Sequence, residues 1–299
     1  MKNRLDRREF LTRSAWMTAG FLAGNTILRS AGPGPVPGIE IAVVEGNAPD
    51  GQTRKAFAML GGIGRFVRRG ARVIILPNPQ GRGAGLSTNA EMVATMIRLS
   101  LEAGAASVAV SSGHAQGRWS STGIIEKVRD AGGIMKYPES SRDWVTLNVP
   151  NARVRKTLTV IRDAVENDVL IDMPVFKQHD SAYITCNIKN LMGFNADNGS
   201  FHSSDEYLHQ AITDLASIIH PHISVVDATT ILTENGPFGP GRMARPNKVY
   251  VGTDMVAVDA LCCSLLNVDP KTVPHLLLSH KAGLGNINLA NRNIQTAKL

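Results

Sequence analysis

Short, uninterrupted apolar runs set between helical patterns constrain this 299-residue chain more than any other feature. Arg72–Leu76, Ser107–Val110, Asp168–Ile171, Ile223–Val226 and Lys248–Val251 are too short for buried helices. They also lack the polar alternation of a strand with one wet face, so they read as strands covered on both sides. Ile39–Glu45, followed by Gly46-Asn47, reads the same way. Helical spacing intervenes over Thr53–Val67, Thr122–Ala131, Arg153–Asn167 and Met255–Leu266. Two capping boxes open further helices, Thr88-x-x-Glu91 running through Glu102 and Ser203-x-x-Glu206 running to Ile219. The alternation predicts an α/β fold with a mostly parallel sheet and helices on both faces. In such sheets ligands sit beyond the carboxyl ends of the strands. The residues there are Asn78, His114, Lys177, His179 and Asp227.

An apolar fraction of 43% with 19% charged residues is enough for a substantial core, in one large domain or two small ones. A division of residues 39–299 into two lobes near residue 150 is left open. Aromatics make up 5% of the chain and no basic run is interleaved with them, so no nucleic-acid partner is expected. The net charge of +7 is concentrated at the start. Lys2, Arg4, Arg7, Arg8, Arg13 and Arg29 stand there against Asp6 and Glu9, which leaves little excess for the remainder. The three cysteines, Cys186, Cys262 and Cys263, lack metal-ligand or redox spacing. No iron–sulfur cluster is expected, and the vicinal pair reads as small buried side chains.

Asp6-Arg7-Arg8-Glu9-Phe10-Leu11 precedes a mild apolar run from Ala15 to Leu28. Paired arginines before a weak apolar segment are the twin-arginine export pattern. Residues 1–32 are therefore read as a signal and residues 33–38 as a Gly/Pro linker. The expected location is periplasmic or extracytoplasmic, with the translocation machinery as a partner. An uncleaved signal would leave the protein anchored to the membrane.

The most unusual stretch runs Pro174-x-x-Lys177-x-His179, Lys189-Asn190-Leu191-x-Gly193 and His202. It continues with Asp214-Leu215, the strand end at Asp227, Gly236-Pro237-Phe238-Gly239 and Asp254-x-x-Ala257-x-Asp259-Ala260. This ordered set, from about Arg72 to Gly285, resembles the domain of unknown function 362 family. Many relatives carry a Lys where Leu76 stands here, and some carry ferredoxin-like cysteine motifs that this chain lacks. A second, more distant resemblance is to the nickel-pincer lactate racemase family. It rests on Ser112-Gly113-His114, on His179 ten positions before Lys189, and on His202. That resemblance implies one pocket lined by His179, Lys189 and His202 with His114 opposite.

Imidazole ligates metals and moves protons near neutral pH, and lysine holds anions or attaches to cofactors. His179, Lys189 and Lys177 are thus the candidate catalytic residues. Asn190, Asp227, His114, Gly236, Gly239 and Asp259 are candidate ligand-binding residues, and His179 and His202 candidate metal ligands. The expected ligand is a small anion, and a metal ion or metal-containing cofactor is admitted. The alternative is a non-catalytic accessory or maturation protein partnered with an exported redox enzyme. His209, His220, His222, His275 and His280 read as surface or helix-end residues.

Overall fold

The computed structural model describes residues 40–299; the signal and linker read over residues 1–38 lie outside the described residues. The described residues open with β1 (Ile41–Glu45), α1 (Pro49–Met59), β2 (Arg72–Pro77), α2 (Ala90–Glu102), β3 (Ser107–Ser111), α3 (Ile124–Asp130) and β4 (Ile134–Lys136). It continues with β5 (Trp144–Asn148), β6 (Thr157–Ile161), β7 (Val169–Met173), β8 (Lys177–His179), β9 (Tyr183–Thr185), α4 (Asn187–Asn190) and α5 (Asn198–Phe201). Then come α6 (Asp205–Ile218), β10 (Ile223–Ala228), β11 (Ile231–Leu232), β12 (Met243–Ala244), β13 (Lys248–Gly252), α7 (Met255–Cys262), α8 (Pro274–Lys281) and β14 (Ile294–Lys298).

Eight strands form the main sheet in the order β14-β1-β13-β10-β7-β2-β3-β4. Neighbours from β10 to β4 pair in parallel, β1 pairs in parallel with β14, and β13 runs antiparallel to both of its partners. The sheet draws strands from both sides of residue 150. Its continuous apolar runs follow from cover on both faces. Val73 and Ile75 pack with α1, α2 and α3, whereas Ile74 and Leu76 pack with α6, α7 and α8. Each such side chain removed from water contributes about 1.5–3 kcal/mol. No described helix is long and apolar enough to cross a membrane.

Several local expectations are corrected. Arg153–Asn167 is not helical. Its Thr157-Leu158-Thr159-Val160 alternation buries Leu158 and Val160 and makes β6, the antiparallel partner of β5. The Asp214 carboxylate accepts the backbone N–H groups of Arg153, Val154 and Arg155 and fixes the turn before it. The helix read from Thr53 to Val67 starts earlier and ends at Met59, before Gly61 and Gly62, both at positive φ. Helix α2 is capped by Asn89, whose side chain accepts from Glu91 and Met92, and not by Thr88. The Thr88 hydroxyl is already engaged, donating to the Met173 carbonyl and accepting from Asn78 N–H. Likewise Ser204, not Ser203, caps α6.

Candidate functional site

Three neighbouring parallel strands, β7, β2 and β3, end on one side of the sheet, and the loops after them build the site. β2 ends into Asn78. β3 leads through Gly113 to His114. β7 leads into the β8–β9 hairpin and the four-residue α4, which together carry His179, Lys189 and Asn190. A cavity of about 490 Å3 opens between them. His114, His179, Lys189, Asn190, His202 and Gly236 all line it, so most of the residues read from the sequence come together. Arg118, Thr185, Met192 and Phe238 also line it and were not singled out. They lie in loops or face inward from short elements, where spacing carries little information.

Lys189 dominates the electrostatics. Its ammonium makes no hydrogen bond or ion pair among the described residues. Burial lowers its pKa to about 8. The imidazoles around it are held neutral. Burial first, then the nearby cations, takes His179 down to about 3 and His114 down to about 4.

The hydrogen bonds fix two tautomers. His179 Nδ1 accepts from Ala182 N–H at 3.2 Å, so its proton sits on Nε2. His202 Nδ1 lies 2.9 Å from the Asn198 carbonyl, which can only accept; Nδ1 therefore carries the proton and Nε2 a lone pair. The two rings are stacked with centroids 6.4 Å apart. The cavity is thus offered an N–H donor from His179, a lone pair from His202 and a cation from Lys189.

The other candidates stand elsewhere. Lys177 is fully buried behind Asn78 and does not line the cavity. Its Nζ donates to the Leu86 carbonyl at 2.7 Å and to Asn78 Oδ1 at 3.4 Å, pinning the Gly-rich loop after β2. Burial lowers its pKa to about 7. Asn78 Nδ2 in turn donates to Asn190 Oδ1, and Asn190 Nδ2 donates to Asp172 Oδ1 at 2.7 Å and to the Leu76 carbonyl. Asp172 is fully buried, and desolvation holds its carboxyl well above the usual range. A buried amide chain therefore fixes the orientation of the cavity floor.

Asp227 does not reach the cavity. Its oxygens accept from Asn89 N–H, Thr229 N–H and the Thr229 hydroxyl, and so tie the end of β10 to the start of α2. Asp259 also stays below, clamped to Asn187 and Ile188 at the start of α4. Gly236 lines the cavity because only glycine fits there: a Cβ would run into the Gln178 carbonyl. Gly239, at φ +69°, turns the loop and does not line the cavity.

His209 and His275 correct the surface reading. Both are buried, with Nδ1 atoms 3.0 Å apart and rings stacked at 5.2 Å. The contact joins α6 to α8 across 66 positions, which no local pattern reveals. The vicinal cysteines are buried and free, as their apolar context predicts.

The chain is similar to the following known proteins. A thylakoid-associated protein of Synechocystis sp. is 26% identical, with 77% of this chain and 74% of that protein covered. The solved lactate racemase apoprotein from Thermoanaerobacterium thermosaccharolyticum matches 77% of this chain at 10% identity and a TM-score of 0.47. The chain spans 57% of the length of that structure. The model of the family described as "Domain of unknown function (DUF362)" matches residues 73–264, most of the described sheet together with the residues that line the cavity, and the chain belongs to that family.

Proposed function

We propose that this protein is an enzyme that binds a small organic anion in the His/Lys cavity and moves a proton on it. The observation that carries this reading is the Lys189 ammonium, desolvated and without a protein partner, beside imidazoles held neutral. A bound carboxylate would neutralise Lys189 and accept from His179 Nε2–H. His202 Nε2, which keeps a lone pair, would then accept the proton.

The resemblance to the nickel-pincer family implies a metal-containing cofactor, and the residues fit one in a particular form. Among the described residues no three His, Cys, Asp or Glu side chains are placed to hold a metal ion. The metal would therefore arrive inside an organic ligand. His202 Nε2 would supply one protein bond to it in place of its role as base, and Lys189 would stay an ammonium for the anion. Such a metal would add Lewis-acid polarisation of the anion.

Calorimetric titration of the purified protein with simple carboxylates tests the anion site. Affinity is expected to be full below about pH 8, where Lys189 is protonated, and to fall as pH rises through that value. The decline approaches tenfold per pH unit, about 1.4 kcal/mol. Lys177, which loses its proton at about 7 behind Asn78, adds a shallower decline. His114 and His179 stay neutral throughout this window. An affinity that is flat between pH 7 and 9.5 would remove the ammonium from the site. Absence of any anion binding, with a second protein copurifying, would favour the accessory reading.

Export by the twin-arginine route is a further part of the proposal and rests on Arg7-Arg8 and the weak apolar run after them. Replacing both arginines by lysine is expected to hold the protein in the cytoplasm, as followed by cell fractionation. Normal export of the double variant would sink the assignment.

A further inference from the structure

The anion cavity continues into a second groove of about 590 Å3, and Gln80, His114 and Arg118 line both. The groove is bounded in part by Gly113 and Gly117, and at Gly117 a side chain would meet nothing within 4 Å. Arg118 is exposed at this boundary, and its guanidinium makes no ion pair or hydrogen bond among the described residues. Cavity and groove together therefore carry two unpartnered cations, Lys189 at the floor and Arg118 at the junction. The sole carboxylate among their lining residues is Asp180. It is exposed, and its Oδ1 already accepts from Gln178 Nε2 at 3.0 Å. His114 lines both cavity and groove, and both cations disfavour its protonated form.

Like charges in one cleft repel each other and focus a positive potential into it. One carboxylate on Lys189 would answer the inner charge and leave the outer one unmet. We infer that the ligand is an organic dianion, with one anionic group on Lys189, the other on Arg118, and its carbon chain passing His114. This rests on the anion reading above and specifies the substrate class of the same site. Arg118 is then a specificity residue: its planar fork suits a terminal carboxylate or phosphate, whereas the atoms near His114 and His179 belong to the inner end.

The test is calorimetry at pH 7 and low ionic strength on the wild-type chain, Arg118→Met and Lys189→Met. The probes are the straight-chain dicarboxylates from malonate to adipate, each set against the monocarboxylate of equal carbon number. Glycerate is set against 3-phosphoglycerate in the same way, which distinguishes a terminal carboxylate from a phosphate. One chain length is expected to bind about fivefold more tightly than its monoacid, as a bidentate charge-assisted pair on an exposed guanidinium allows. Arg118→Met should reduce that diacid to the monoacid level and leave the monoacid within about twofold. Lys189→Met should lose both. Equal binding of diacids and monoacids by the wild type would overturn the inference, as would an Arg118→Met effect shared by both, while the anion site itself would stand. Loss of every anion from the wild type would overturn both readings. Arg118 is exposed, so an unchanged melting temperature is expected for its variant, and it confirms that the comparison reports on the site.

Discussion

Lys189→Met is expected to weaken carboxylate binding by on the order of 100-fold or more, because removing one partner of a desolvated charge pair costs about 2–5 kcal/mol. The same variant is expected to melt no lower than the wild type. The ammonium is partly buried and unpaired among the described residues, and burial has lowered its pKa to about 8 from the ordinary lysine value. The sign follows from linkage. Between about pH 8 and the unfolded-state pKa the unfolded chain binds the proton that the folded chain has lost, so this group makes stability rise with pH there. Methionine keeps the aliphatic stem and removes both the cost and the pH dependence. Loss of binding with thermal stability retained would locate Lys189 in the site. Loss of both together, by calorimetry and thermal melting, would make it a structural residue and end the anion reading.

Asp259→Leu is expected to be the most damaging single change beneath the site. Its carboxylate accepts from Asn187 N–H at 3.0 Å, Asn187 Nδ2 at 2.6 Å and Ile188 N–H at 3.0 Å. All of these groups are fully buried. Burial raises the Asp259 pKa to about 6, so the carboxylate is mostly ionised at pH 7 and its hydrogen bonds are charge-assisted. Leucine keeps the branch point but is larger, and it leaves three donors unmet, at about 1–3 kcal/mol each. The melting temperature should fall by roughly 10 °C or more, given about 2–4 °C per kcal/mol for a domain of this size. Helix α4 carries Lys189 and Asn190, so anion affinity should fall as well. Asp259→Asn keeps one acceptor oxygen and should lose distinctly less. A leucine variant melting within a degree or two of the wild type would show that the clamp does not hold α4.

Both predictions depend on contacts that the sequence presents only in part. What the sequence determined by itself was the set of buried strands and the existence of most helices between them, though not the strand at Thr157–Ile161 or the exact caps. Apolar runs such as Val73–Leu76 must be covered on both faces, which dictates strands between layers of helices. Asp254 caps α7 by accepting from Ala257 N–H, within the reach of one turn. His114, His179, Lys189 and His202 were legible as chemistry because they follow strand ends or stand at a spacing resembling a known family.

Tertiary structure alone decided which polar groups face the cavity. Lys177 and Lys189 are the same residue type twelve positions apart, yet one pins a loop behind Asn78 and the other is left without a partner. Asp227 and Asp259 became backbone clamps because amides from Asn89 and Asn187, distant in the chain, arrive beside them. His209 and His275 meet only because α6 packs on α8. The physical reason is common to all of these. A local pattern sets the direction of a backbone and the face that it must bury. A buried polar group takes whichever partner the chain crossing brings within hydrogen-bond distance, and for the Lys189 ammonium the fold supplies none among the described residues.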